Sequence, residues 1–265
     1  MNKGIKKMAK RENLTATADW LAHALLPDWP VPARVRALVT TRQGGVSAAP
    51  YESFNLGTHV RDDPAAVAAN RAALAAVLPA EPAWLTQVHG TNVVDATEKG
   101  LLPPMADASV AFGPGAVCTV MTADCLPVLF ARDDGSAVGA AHAGWRGLCD
   151  GVLEATVARL GEPARIVAWL GPAIGPDAFE VGDEVRTAFM AHGEAAAEAF
   201  RPGESAGKWW CDLYLLARQR LAAAGVRSVH GGGLCTVSDR ARFFSYRRDC
   251  TTGRMAALVW IEPEA

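Results

Sequence analysis

The chain lacks any apolar run approaching the ~18 residues of a membrane-spanning helix, so no membrane span is expected. It also lacks a CxxC pair, because Cys118, Cys125, Cys149, Cys211, Cys235 and Cys250 are scattered along 265 residues. With no export signal in view, that scatter predicts free thiols rather than a disulfide framework, and a cytoplasmic setting. An excess of either charge is missing too. A net charge of −2 leaves no electrostatic footprint for a dedicated nucleic-acid surface. Nor do the six histidines include a His-x-His pair, which argues against the bridged copper cluster of a true multicopper oxidase.

Internal repeats and low-complexity linkers are absent as well. One domain over residues 31–265 is therefore expected, preceded by a partly flexible N-terminal extension over 1–30. Lys3, Lys6, Lys7, Lys10 and Arg11 give that extension a basic run. The run reads as a solvated tail, because Asp19 and His23 interrupt the apolar stretch that a signal peptide would need.

What is present is ample core material, with half of the residues hydrophobic. Val35 to Thr41 reads as a strand leading to the Gly44-Gly45 loop. Asp62 or Asp63 caps a helix with Pro64 at its first position and Val67, Leu74 and Leu78 on its apolar stripe. The β-branched runs 116–121 and 126–131 read as buried strands, as do 166–170 and 255–261. Helices are expected at 148–160, ended by Gly161, and at 212–224, ended by Gly225. Strict βα alternation is missing, which predicts an α+β single domain of mixed β-sheets packed with α-helices.

Three residues carry the richest chemistry: His89 in Gln87-Val88-His89-Gly90, Cys125 in Asp124-Cys125-Leu126-Pro127, and His142 in His142-Ala143-Gly144-Trp145-Arg146-Gly147. Two imidazoles and a thiolate suit an open zinc site, since three protein ligands leave a position for water or substrate. With an axial Met121 or Met105 they would also suit trigonal copper. Asp134-Gly135 predicts a two-residue type I′ hairpin turn. In that register paired numbers sum to 269, so His142 faces position 127 and Cys125 becomes its diagonal neighbour on the same face. The glycines beside both histidines allow close backbone approach. The same residue types also serve metal-free catalysis, with Cys125 as nucleophile, His142 as base and Asp124 or Asn55 as orienter.

Other residues are weaker candidates. Asp124 is an acid/base group or the partner of a ligand's second ring nitrogen. Arg42 sits in a loop able to cradle an anion. Arg146, Arg247 and Arg248 are candidate anion forks. Glu180 is a general-base candidate placed at a helix start.

These stretches, with Thr41-Arg42-Gln43-Gly44-Gly45, Phe54-Asn55-Leu56-Gly57, Gly171-Pro172-Ala173-Ile174-Gly175-Pro176 and Phe244-Ser245-Tyr246-Arg247-Arg248, resemble the YfiH-type laccase-domain family over about residues 35–261. That family is also described as polyphenol oxidase-like and as multi-activity purine nucleoside enzymes. Asp177 and Cys250 depart from its usual Cys and Gly. The resemblance implies metal ligation by His89, Cys125 and His142, with Zn²⁺ as cofactor and Cu²⁺ as the alternative. It implies phosphorolysis of adenosine, inosine and methylthioadenosine, with adenosine deaminase as a further activity. Expected partners are a purine nucleoside and phosphate, with Arg42, Asn55 and Arg247 contacting substrate and Cys125, His142 and Asp124 as the catalytic set. The alternatives are a cysteine hydrolase or amidase that edits peptidoglycan precursors through Cys125, and a copper-dependent phenol oxidase. Oligomeric state is left open.

Overall fold

The computed structural model describes residues 19–98 and 100–263. In chain order the strands are β1 (Val35–Val39), β2 (Pro82–Ala83), β3 (Val93–Asp95), β4 (Ala108–Ala111), β5 (Val117–Thr122), β6 (Leu126–Arg132) and β7 (Val138–Ala143). They continue as β8 (Ile166–Leu170), β9 (Glu180–Gly182), β10 (Phe200–Pro202), β11 (Lys208–Cys211), β12 (Ser228–Gly231) and β13 (Met255–Ile261). The helices are α1 (Asp19–Ala22), α2 (Pro64–Ala75), α3 (Trp145–Asp150), α4 (Val152–Leu160), α5 (Asp183–Met190), α6 (Leu213–Ala223) and α7 (Tyr246–Asp249).

Among the described residues the strands form three sheets, ordered β1-β13-β5-β2, β10-β11-β9 and β12-β8-β6-β7-β4-β3. The first and third mix parallel and antiparallel pairs. β6 and β7 lie at the centre of the third sheet and are buried on both faces, so their sequences run continuously apolar rather than alternating. Leu129, Ala131, Val138 and Ala140 face Cys118, Val120, Ala257 and Val259 of the four-stranded sheet. Val128, Phe130 and Ala141 face the opposite way, onto Leu153, Val157 and Leu160 of α4. The domain is thus one mixed α/β unit in which two sheets pack face to face and helices cover the outer side of the larger one.

The predicted hairpin register holds: Leu126 pairs with Ala143, Pro127 with His142 and Val128 with Ala141. The turn that delivers it differs. Gly135 is left-handed at φ 70°, but Asp134 is not, and type I′ needs both. Asp134 instead accepts from the Ser136 N–H (2.9 Å) and Oγ (2.6 Å), while Arg132 N–H bonds to Ala137 O across the wider connection. A self-bonding Asx geometry has replaced the tight turn without shifting the strands.

Asp63 caps α2 by accepting from Ala65 N–H, with Pro64 in the first turn. The helix expected over 148–160 is two helices, because Gly151 adopts φ 105° and ends α3 in the left-handed region before α4 starts. Asp212 caps α6 at Leu215 N–H. Glu180 lies on β9 beside Trp210 of β11 rather than at a helix start; the helix begins at Asp183. Of the extension expected over 1–30, residues 1–18 with their basic run fall outside the described residues. Residues beyond them pack firmly: Trp20 is 1% exposed and stacks on Phe54 at 4.9 Å, and Leu25 bridges to Val39.

Candidate metal centre

The ends of β5, β6 and β7 converge where the two large sheets meet, and the three predicted ligands meet there. Cys125 immediately precedes β6, and His142 lies on the β7 face that looks toward the four-stranded sheet. His89 comes from the loop between β2 and β3. One donor atom from each of His89, Cys125 and His142 lies within 4.8 Å of the others. Cys125 Sγ is 3.8 Å from His89 Nε2, and the two imidazoles meet edge to face at 4.8 Å. A tetrahedral zinc with bonds of about 2.0 Å to nitrogen and about 2.3 Å to sulfur sets donor separations near ~3.5 Å. The 3.8 Å between Cys125 Sγ and His89 Nε2 is close to that requirement.

Local backbone geometry explains the convergence. His89 (φ 60°) and Asp124 (φ 91°) both occupy the left-handed region, which turns each loop sharply at the site. Gln87 clamps the His89 loop onto β5: its Nε2 donates to Met121 O and its Oε1 accepts from Met121 N–H, both at 2.8 Å. Gly144 supplies close approach. A Cβ there would stand 2.7 Å from His89 Cδ2 and 3.0 Å from Cys125 Sγ.

Asp107 was not singled out from the sequence, yet it organises the centre. Its side chain is fully buried and accepts from His142 Nδ1 at 2.8 Å. It also accepts the backbone N–H groups of Val88 (3.1 Å), His89 (2.9 Å) and Gly90 (2.7 Å). One carboxylate therefore fixes the His142 tautomer, leaving Nε2 to face Cys125, and holds the His89 loop in place. The role on a ring nitrogen expected of Asp124 belongs to Asp107. A carboxylate before an alternating Ala-Ser-Val-Ala strand carried no pattern by which sequence could have found it.

Charge follows from these contacts. Burial alone would raise the Cys125 thiol, but the His142 charge and hydrogen bonds from both histidines outweigh it and hold the thiol below its usual range. Burial would likewise lower His142, whereas the Cys125 thiolate and Asp107 raise it. Against burial, the His142 hydrogen bond and the Val88 and Gly90 N–H groups hold Asp107 below the ordinary carboxylate value. A thiolate and two imidazoles, one oriented by a carboxylate, form a donor set suited to zinc.

The donors line a cavity of about 640 Å³ whose wall includes His59, Arg71, Trp84, Met121, Tyr246 and Arg254. A smaller apolar pocket of about 150 Å³ shares Cys125 and Tyr246 with the cavity and is further lined by Trp145, Ile174, Phe179 and Arg247. The remaining predicted residues scatter. Arg247 reaches that second pocket, with Nη1 donating to Glu180 O at 3.0 Å. Asp124 is buried nearby and accepts from Arg247 N–H (2.6 Å) and Thr236 Oγ1 (2.5 Å), tying α7 to the centre. Asn55 is fully buried. Its amide is bonded to Asp62, Gly57 and Arg254 N–H, so it meets the cavity only through the backbone of Arg254. Arg42 lines a separate shallow depression, donating to the carbonyls of Glu52 and Arg240. Arg248 is committed to the carbonyls of Thr236, Val237 and Phe243 and to Asp249. Arg146 stacks on Trp145. Met121 Sδ faces Arg71 Nη2 at 3.8 Å, and Asp177 pairs with Arg201.

Fold and site define a mixed-sheet α+β protein carrying a His₂Cys candidate metal centre. The chain belongs to the multi-copper polyphenol oxidoreductase laccase family, whose profile matches residues 36–262. A Pseudomonas aeruginosa relative named purine nucleoside phosphorylase is 59% identical over 239 residues, covering 90% of this chain and 98% of its own. An Escherichia coli relative, named purine nucleoside phosphorylase YfiH, is 53% identical over 91% of this chain and 100% of its own. Among solved structures, a Neisseria meningitidis protein superposes with a TM-score of 0.87 at 52% identity, covering 91% of this chain and 100% of that one. YlmD from Geobacillus stearothermophilus gives 0.78 at 32% identity, covering 87% and 93%. Among the described residues no helix is long and apolar enough to cross a membrane.

Proposed function

We propose that this chain is a zinc-dependent purine nucleoside phosphorylase acting on adenosine, inosine and methylthioadenosine. The observation that carries the reading is a three-donor set, oriented by Asp107, on the wall of a cavity large enough for a nucleoside. The names of the relatives at 53–59% identity support the choice of substrate. His89, Cys125 and His142 hold the metal, which when bound supplies Lewis-acid charge to an oxygen in the cavity.

The reaction breaks the bond from ribose C1′ to the purine nitrogen and forms one from C1′ to a phosphate oxygen. The base leaves with the bonding electrons and takes up a proton. The protein's part is to hold both reactants in line and to offset charge as the ribose becomes cation-like. Asp107 holds a proton of His142 on Nδ1, so that Nε2 is the ring nitrogen turned toward the donor set. Asp124 holds the N-terminal turn of α7, and with it Tyr246 and Arg247, against the site. Deamination of adenosine is a second activity of the same cavity, in which water adds at purine C6 and the amino group leaves as ammonia with the glycosidic bond intact.

One observation favours a rival. Asp107, His142 and Cys125 stand in the order of a carboxylate–imidazole–thiol relay, the arrangement of a cysteine hydrolase or amidase. Copper-dependent phenol oxidation requires a redox metal in the same donors and ranks below both, since zinc is redox-silent.

Product analysis separates these readings. Zinc-loaded protein with adenosine and phosphate is expected to yield adenine and ribose 1-phosphate, and inosine with ammonia where water adds at purine C6 instead. Absence of all these products sinks the proposal. Amidase activity that survives chelation and ends on alkylation of Cys125 would establish the rival.

A further inference from the structure

Arg71, Arg254 and His59 line the same cavity as the metal donors, and no motif had drawn attention to them. Arg71 projects from α2 with its guanidinium carbon over the Trp84 ring, 3.8 Å from the centroid. Its Nε donates to Leu56 O at 2.9 Å. Arg254 precedes β13; its Nη1 donates to the carbonyls of Thr252 (3.1 Å) and Gly253 (3.0 Å), and its backbone N–H is held by Asn55. Each guanidinium is thus anchored on one side by backbone oxygens.

Among the described residues neither forms an ion pair with a carboxylate. Arg132, Arg165, Arg201, Arg220 and Arg248 all do. Glu81 is the carboxylate whose charge acts on Arg71, but its Oε1 accepts from Trp84 Nε1. Burial, with the two arginine charges, also holds His59 below its usual basicity. Half-buried cations cost free energy unless an anion answers them. A guanidinium already anchored by backbone oxygens loses little further freedom when its open edge meets an oxyanion.

We infer that the Arg71–Arg254 wall, with His59 beside it, is the subsite for inorganic phosphate in the cavity that His89, Cys125 and His142 also line. The inference rests on the phosphorylase reading for its choice of anion. A dianion between two guanidiniums meets balanced charge, and the shared cavity leaves its oxygens facing the same space as the metal donors.

Zinc-loaded Arg254→Gln, Arg71→Gln and Arg42→Gln proteins, with the lysine variants of the first two, test this assignment. Zinc content and the melting temperature without phosphate check integrity, and calorimetric titration with inorganic phosphate at constant ionic strength reads the subsite. Arg254→Gln and Arg71→Gln are expected to weaken phosphate binding, and to raise its KM, about 10- to 100-fold. The KM for adenosine should stay within about twofold, and lysine should restore part of the loss. Unchanged phosphate binding in both glutamine variants overturns the assignment. So does a loss confined to Arg42→Gln, or a loss of adenosine monophosphate binding with inorganic phosphate unaffected, which would place a nucleotide's own phosphoryl group there. If phosphate binding depends on Arg254 while no nucleoside yields ribose 1-phosphate, the subsite stands and the phosphorylase reading falls.

Discussion

The Asp107 carboxylate accepts His142 Nδ1 at 2.8 Å while also receiving the N–H groups of Val88, His89 and Gly90. Two of the three candidate ligands are therefore positioned by one side chain. Asp107→Asn keeps the size but offers an amide where two acceptor oxygens serve four donors. We expect metal affinity to fall about 10- to 100-fold, with a lowered melting temperature. Zinc competition against a chromophoric chelator measures the first and calorimetry the second. Unchanged affinity would detach Asp107 from the centre.

Gly144→Ala separates the site from the fold. Backbone strain is absent at φ −61° and ψ 156°, so the cost is steric, at His89 Cδ2 and Cys125 Sγ. His89 is exposed and can swing aside while the core stays packed. The variant should fold with a melting temperature within a few degrees of the parent and bind metal at least about tenfold more weakly. Tight metal binding by this variant would contradict the close packing of the donors.

The depressed Cys125 thiol sets a pH dependence in metal-free protein. A lowered pKa leaves thiolate present at pH values where an ordinary cysteine is protonated, and that thiolate is lost as pH falls through the lowered value. Iodoacetamide should therefore modify Cys125 faster than free cysteine between about pH 6 and 7, and bound zinc should protect it. Peptide mass mapping distinguishes it from the exposed Cys250. Modification that begins only above about pH 8 would show that the imidazoles do not stabilise the thiolate.

Much of this architecture is legible in the sequence. The 269-sum register by itself brings Cys125 and His142 to one face, because strand alternation is strict and the change of turn type leaves the pairing intact. The caps Asp63 and Asp212 are equally local. The cavity wall is not legible. Arg71 reads as an ordinary helix arginine, and Arg254 as a residue after a turn. They reach the donors only through contacts between α2, the turn before β13 and the end of β5. Asn55 and Arg42 mislead for the same reason: a motif marks a constrained backbone, and nothing local tells whether the side chain turns inward to brace it or outward to a ligand. Asn55 turns inward.

The most direct test joins metal content to turnover in one series: parent protein and the single variants His89→Ala, Cys125→Ser and His142→Ala, reconstituted with zinc and assayed with adenosine and phosphate. The account predicts about one metal equivalent per parent chain, its loss in each variant, and loss of ribose 1-phosphate formation in parallel. Phosphorolysis that persists in metal-free parent protein, or in a variant that no longer holds zinc, would contradict it.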